Sequence, residues 1–256
     1  MITKIIKNFK SKIYSRPVFG PFSKTIDPAF IESTGYAGFD FVILDLEHGP
    51  NSVENVQNLI RAAQITNMLP VVRVKENCPS LIGEVLDIGA GGIQVPQIKN
   101  AEDVKNVVKL AKFAPEGMRG MCRFVRAANY SSMKSDKYFK KANDALIIIQ
   151  LEGIEAIKNL DEILEISGYD IIFIGPYDLS QSLGIPGQVN NSLVKNEMVK
   201  IIEKCKQKGI LVGNFTDTEK NALEWIKLGV RYVSYSVDTG IYYNACKNIL
   251  SSLKIK

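Results

Sequence analysis

Histidine is nearly absent: the 256-residue chain has one, His48. Any site built on two or three imidazoles, H-E-x-x-H zinc and His₃ zinc included, is excluded. Carboxylate oxygens are then the chain's main means of holding a metal. Cysteine is scarce and dispersed. Cys78, Cys122, Cys205 and Cys246 form no C-x-x-C pair, so neither a disulfide framework nor a zinc ribbon is encoded, and free thiols suit a reducing cytosol. No apolar run approaches the roughly 18 residues of a membrane span, and the Lys-rich stretch Met1–Ser15 lacks the apolar core of a signal peptide. The nucleotide loops G-x-x-x-x-G-K-[ST] and G-x-G-x-x-G are missing as well. Thirty-two basic against 27 acidic residues leave a net charge of +5. The lysines are scattered, with no aromatic-interleaved basic motif, which argues against a nucleic-acid face. The expectation is a cytoplasmic protein with neither nucleic-acid nor membrane partners.

What the chain does have is a rhythm. Short β-branched runs recur at Val18–Phe22, Phe41–Asp45, Val71–Val74, Gly92–Pro96, Leu146–Glu152, Ile171–Gly175, Ile210–Gly213 and Tyr232–Ser236. Between and after them lie helix-period stretches at Asp27–Tyr36, Ser52–Gln64, Ser80–Gly89, Ala101–Lys112, Ile154–Ile166, Leu193–Lys208, Thr218–Leu228 and Thr239–Leu253. Ser52 and Thr218 supply N-cap hydroxyls, and Gly89, Gly168, Gly209 and Gly229 stand where helices stop. Eight strands alternating with eight helices predict an α/β fold, a (β/α)8 TIM barrel, and chains of roughly 250 residues form such barrels as one domain. A doubly wound open sheet is the runner-up, but it carries a Gly-rich first turn that is absent here. The single domain spans residues 1–256, with 1–15 as an N-terminal extension or helix. Residues 113–145 break the rhythm with Arg119, Arg123, Arg126 and a short helix near Ser135–Lys141; a connection this long suggests a functional segment on the active-site side.

In such a barrel, function belongs at the C-terminal ends of the strands. The second strand ends in Asp45-Leu46-Glu47-His48, the third carries Arg73, and the sixth runs through Gly175 and Pro176 to Asp178. On the fifth, alternation puts Ile148, Gln150 and Glu152 on one face. A carboxylate there is costly unless it is paired or coordinates a cation. Taken singly, each residue has a plainer role: a helix cap, a structural ion pair, a loop histidine, a turn. Their convergence on one barrel mouth is harder to assign to separate structural needs.

The segments Phe41-Val-Ile-Leu-Asp-Leu-Glu-His-Gly-Pro-Asn51, Pro70-Val-Val-Arg-Val74, Gln150-Leu-Glu152 and Ile171-Ile-Phe-Ile-Gly-Pro-Tyr-Asp-Leu-Ser180 resemble the HpcH/HpaI aldolases, metal-dependent pyruvate aldolases on a (β/α)8 barrel. The resemblance implies that Glu152 and Asp178 ligate a divalent cation, Mg²⁺, Mn²⁺ or Co²⁺. It implies that Arg73 contacts the pyruvate oxygen and that His48, oriented by Asp45, forms an acid/base dyad. Gln150 and the segment Gly175, Pro176, Tyr177 and Asp178 would contact substrate, and Asp87 would reach across a subunit contact. A homohexamer is implied. Tyr177 stands where better-known members have a small residue, and Leu46, Gly49 and Gly153 also depart from their pattern.

The chemistry is coherent on physical grounds. Cleaving a 4-hydroxy-2-oxo acid to pyruvate and an aldehyde leaves an enolate, which a divalent cation stabilises as a Lewis acid and Arg73 stabilises from another side. His48 suits the proton transfer. A Schiff-base aldolase would need an interior lysine, and no strand as read here carries one; Lys75 and Lys99 fall just beyond strand ends, facing solvent. Two alternatives are a CoA-thioester lyase of the citrate lyase β or malyl-CoA lyase type, and a noncatalytic metal- or oxoacid-binding barrel.

Overall fold

The computed structural model describes residues 2–254. Its strands are β1 (Val18–Ser23), β2 (Phe41–Asp45), β3 (Leu69–Arg73), β4 (Gly92–Val95), β5 (Leu146–Leu151), β6 (Ile171–Ile174), β7 (Leu211–Thr216) and β8 (Tyr232–Val237). All pair in parallel and in sequence order, and β8 returns to β1 through Val18 and Tyr232, closing the barrel. The helices are α1 (Ile2–Ser15), α2 (Pro28–Tyr36), α3 (Val53–Ile65), α4 (Pro79–Asp87), α5 (Ala101–Ala111), α6 (Ser135–Ala142), α7 (Ile154–Lys158), α8 (Leu160–Leu164), α9 (Pro176–Ser182), α10 (Ser192–Gln207), α11 (Glu219–Leu228) and α12 (Asp238–Leu253). The predicted (β/α)8 barrel is the fold observed.

Strand alternation divides the apolar side chains into two cores. Val42, Leu44, Val72, Ile147, Ile149, Leu151 and Ile172 point outward and pack under the helices. Phe22, Ile43, Val71, Ile148, Phe173 and Tyr232 point inward and fill the barrel. Helix formation follows local chemistry at the expected positions: Ser52 Oγ accepts the Asn55 amide and Thr218 Oγ1 accepts the Asn221 amide, each at 3.2 Å. At the other end of α11, Gly229 takes φ 117°, a conformation open to glycine, and its amide caps the helix on Trp225 and Ile226 carbonyls.

Helix α1 seals the N-terminal end of the barrel. Its apolar residues Ile5, Ile6, Phe9 and Ile13 recur at helical spacing and are buried. They pack with Phe41, Leu69, Leu146 and Tyr232, each the first residue of its strand. Phe9 meets Phe41 and Tyr232 edge-on at 6.0 and 6.3 Å. Asp40 ties the helix down by accepting from Arg16 at 2.7 and 2.9 Å and Lys12 at 3.0 Å. One end of the barrel is thus closed by side chains, and access is from the other.

Three sequence expectations change. The stretch Ile154–Ile166 forms two short helices, α7 and α8, parted at Asn159, whose side-chain Nδ2 donates to the Lys99 carbonyl at 3.0 Å while its backbone amide still donates to the Glu155 carbonyl at 3.1 Å. Gly175–Pro176 opens α9 rather than a simple turn. The long connection 113–145 lies at the closed end and not on the active-site side. The mouth-side turn is spent between β4 and α5, and α5 runs back down, so the link to β5 must sit below. There it builds its own small core of Phe113, Ala128 and Tyr138, and Arg126 donates to Gln64 at 2.7 Å and to the Ile88 carbonyl at 3.1 Å.

If α1 is a structural plug, Phe9→Ala will lower unfolding stability by about 3–5 kcal/mol, the usual cost of emptying a buried aromatic site. Equilibrium urea unfolding measures this; an unchanged midpoint would mean that the plug contributes nothing.

Candidate active site

The open end of the barrel gathers polar side chains from five consecutive strand ends. Register explains the first of these contacts. Asp45 pairs with Arg73 across β2 and β3, and Arg73 with Gln94 across β3 and β4, so the three share one inward-facing level. Arg73 Nε and Nη2 donate to Asp45 Oδ1 and Oδ2 at 2.9 and 2.7 Å, a bidentate fork that a lysine would not reproduce. Arg73 Nη1 lies 3.0 Å from Glu47 Oε2, and the guanidinium sits over the Phe22 ring at 4.6 Å. Burial works against charge on Asp45. Arg73 and the amides of Glu47 and His48 outweigh that and hold its carboxyl below the ordinary range.

The expected Asp45–His48 dyad takes a different form. Asp45 reaches His48 through the backbone amide, at 3.4 Å, while its carboxylate is spent on Arg73. The physical reason is register: a buried guanidinium on the adjacent strand takes the carboxylate opposite it, and the turn after β2 carries the imidazole outward, where its side chain is 55% exposed. The acid near the ring is Glu47, whose Oε2 lies 3.9 Å from His48 Nε2.

On β5, Gln150 and Glu152 face inward as alternation predicts, and both are buried. They form a relay with β4. Gln94 Nε2 donates to Gln150 Oε1, Gln150 Nε2 donates to Glu152 Oε2, and the Gln97 amide donates to Glu152 Oε1 at 2.8 Å. Burial pushes the Glu152 carboxyl up to about 7; the hydrogen bonds from Gln150 and Gln97 oppose this, while Asp178 and Glu47 add repulsion. Gly175 makes room for the arrangement. A Cβ there would stand 2.7 Å from Glu152 Oε2, so any side chain would displace the carboxylate.

Two adjoining cavities open here. One, of about 380 Å³, is lined by Phe22, Lys24, Arg73, Gln150, Phe173, Gly175, Pro176, Tyr177, Phe215, Asp217 and Val237. The other, of about 390 Å³, is lined by Glu47, Gln97, Lys99, Glu152 and neighbours. His48 and Asp178 line both. Among the described residues no three His, Cys, Asp or Glu side chains cluster as a complete metal cage. The donor set nevertheless fits a hard cation bound partly by substrate and water. Glu152 and Asp178 face one cavity, and the burial and repulsion that raise the Glu152 carboxyl are what a positive ion would offset.

Asp87 is not brought to this mouth. Helix α4 runs from the mouth to the closed end, and Asp87 is its last residue. There it pairs with Arg119, whose guanidinium lies over Phe113 at 4.6 Å. Three residues that the sequence reading passed over do belong to the mouth: Glu47, Gln94 and Lys24. Gln94 was open to discovery, since it falls on the inward parity of β4. Glu47 and Lys24 lie beyond strand ends, where alternation has no force.

A model of the HpcH/HpaI aldolase/citrate lyase family matches residues 19–245. The 4-hydroxy-2-oxo-heptane-1,7-dioate aldolase of Escherichia coli is 35% identical over 217 residues, which is 82% of this chain and 80% of that one. In structure, an HpcH/HpaI aldolase/citrate lyase family protein from Burkholderia cenocepacia J2315 superposes with a TM-score of 0.92 at 27% identity, covering 99% of this chain and 100% of the other. Citrate synthase SbnG superposes with a TM-score of 0.86 at 30% identity, covering 98% and 96%. The fold agrees with these likenesses, and the chain belongs to the HpcH/HpaI aldolase/citrate lyase family.

Proposed function

We propose that the chain is a divalent-metal-dependent aldolase that reversibly cleaves a 4-hydroxy-2-oxo acid to pyruvate and an aldehyde. The observation that carries this reading is the pairing of unlike charges in one mouth. A buried, fully held Arg73 stands near enough to Glu152 to be influenced by its charge, and Glu152 itself is crowded by Asp178 and Glu47. Glu152 and Asp178 would hold the cation, which supplies Lewis-acid charge for the oxygen of the pyruvate fragment.

The protein's own groups account for the remaining steps. In cleavage, the C4 hydroxyl gives up its proton, the C4–O bond becomes the aldehyde carbonyl, and the C3–C4 bond breaks. Its electron pair passes into C3–C2 to leave an enolate, and a proton at C3 completes pyruvate. Arg73, fixed by Asp45, directs N–H groups at the oxygen where charge develops and needs no reorganisation to do so. His48, on the wall shared by both cavities, takes the C4 proton, and Glu47 stabilises the imidazolium that results. Gln150 orients the keto acid and the Glu152 carboxylate together. The segment Gly175–Asp178 holds the substrate carboxylate. Similarity to a citrate synthase favours a second reading, in which the enolate of a two-carbon acyl unit condenses onto a 2-oxo acid, and product analysis separates the two.

Screening 4-hydroxy-2-oxo acids for pyruvate release with and without EDTA tests the reading. Release should be metal-dependent and fall at least about 100-fold in Glu152→Gln, in the range seen when a catalytic electrostatic group is removed. Metal-independent release trapped by borohydride would assign a Schiff-base mechanism instead.

The raised Glu152 carboxyl gives a pH dependence of definite sign. Between its unfolded value near 4.5 and about 7, the folded chain binds a proton that the unfolded chain has lost. Metal-free stability therefore declines as pH rises through this window, while metal affinity climbs because the ligand must be ionised. Glu152→Gln should abolish both slopes, as read by thermal melts and metal titrations at pH 5.5 and 8. Parallel slopes in parent and variant would refute the assignment.

Asp45→Asn should raise the KM for pyruvate about tenfold or more, the scale of a lost charge-assisted bond, and leave the histidine limb of the pH–rate profile in place. A shifted limb with unchanged KM would place Asp45 behind His48 after all.

A further inference from the structure

Strands β6 and β7 pair in register through Ile174 and Asn214, so the residues that follow each strand stand side by side at the mouth. On one side is Tyr177, in the first turn of α9; on the other is Asp217, just past β7. The Tyr177 hydroxyl donates to Asp217 Oδ2 at 2.9 Å and bridges the two strand ends. Burial and the carboxylate both push the phenol above its ordinary range, so it remains a donor. Tyr177 is also a point at which the chain departs from the pattern that it otherwise resembles. Neither the metal nor the proton transfers described above call for a phenol there.

The ring does not stand alone. Tyr177 packs edge-on against Phe215 at 5.8 Å, Phe215 meets Phe22 at 6.0 Å, and Phe22 meets Phe173 edge-on at 6.2 Å. Below them the Arg73 guanidinium lies over Phe22 at 4.6 Å. The rings form one connected wall from rim to floor, tied at the rim by Asp217 and at the floor by the Arg73–Asp45 pair. All four line the cavity of about 380 Å³. A wall of interlocked aromatic rings cannot yield outward without giving up its own contacts. Phe22 and Phe173 are buried, whereas Tyr177 is 44% exposed, so it is the member of the wall that an entering molecule meets first.

In the retro-aldol reading above, on which this inference rests, the pyruvate half of the substrate engages Arg73 and the carboxylates. The rest of the cavity holds the fragment that leaves as the aldehyde. We propose that Tyr177 is a specificity-determining residue that sets the upper size of that fragment: short unbranched aldehydes fit, and aldehydes branched beside the carbonyl or carrying a ring are shut out. The selection is by shape. Extra bulk must displace a phenol that Phe215 backs and Asp217 holds, and overfilling a well-packed site is costly.

Synthesis from pyruvate tests this with three uncharged acceptors: propanal, 2-methylpropanal and benzaldehyde. In the parent enzyme kcat/KM should fall about tenfold or more from propanal to either bulkier aldehyde. Tyr177→Ala should raise the ratio of 2-methylpropanal to propanal about tenfold or more, and Tyr177→Phe, which keeps the ring, should stay near the parent ratio. Should the alanine variant fail to fold, Tyr177→Leu reads the same ratio, with a smaller rise. A parent enzyme that accepts 2-methylpropanal as well as propanal overturns the proposal. So does an unchanged ratio in a folded Tyr177→Ala, because a tyrosine with a merely structural role would lower activity on every acceptor alike. A ratio as high in Tyr177→Phe as in Tyr177→Ala overturns the steric role of the ring. Exchange of the pyruvate methyl protons for deuterium needs no acceptor and separates the two levels. Exchange in the parent enzyme with an unchanged ratio in the variants removes the role of Tyr177 alone, whereas no exchange in the parent enzyme removes the pyruvate reading and this proposal with it.

Discussion

A guanidinium buried inside a barrel must be neutralised where it stands, because the interior offers no water to do it. The fork between Arg73 and Asp45 meets that demand, and much of the mouth follows from it. In-register pairing of β2 with β3 puts the two residues side by side. Once Asp45 is committed to Arg73, it cannot also serve the imidazole of His48. The acid nearest the imidazole is instead Glu47, at 3.9 Å, which itself touches Arg73 at 3.0 Å. One ion pair thus fixes a cation at the floor of the site and decides which carboxylate remains beside the His48 imidazole.

The opposite wall carries the complementary problem. Glu152 is an inward-facing carboxylate that accepts from Gln150, itself held by Gln94, and from the Gln97 amide, yet burial keeps its proton affinity high and Asp178 and Glu47 add repulsion. A site that gathers negative charge in the absence of its ligand is less stable than it would be with neutral residues. Such a cost is typical of positions kept for chemistry. Gly175 belongs to the same design, since the carboxylate occupies space that any side chain would take.

Much of this was legible in the sequence. The eight-unit rhythm gave the barrel, and the alternation Ile148, Gln150, Glu152 gave the inward face of β5, because both depend on local periodicity. Partner choice was not legible. Whether Asp45 meets Arg73 or His48 depends on the register between two strands, and nothing in either strand states it. The side of the barrel occupied by residues 113–145 depends on counting which turns lie at the mouth, and the Asn159 side chain, at the break between α7 and α8, meets a carbonyl sixty residues away. Lys24 and Glu47 stand past strand ends, where period-two reasoning stops, although they complete the charge pattern of the mouth. Asp87 shows the converse: motif position drew it toward the site, while the direction of α4 places it at the far end of this protomer.

The central claim is that Glu152 and Asp178 jointly hold one divalent ion beside Arg73. Titration of the metal-free protein with Mn²⁺, followed by electron paramagnetic resonance, measures it directly. The account requires one bound Mn²⁺ per chain at pH 8, lost in both Glu152→Gln and Asp178→Asn, with the bound-ion spectrum altered on adding pyruvate. Undiminished binding in either variant, or a spectrum indifferent to pyruvate, would contradict it.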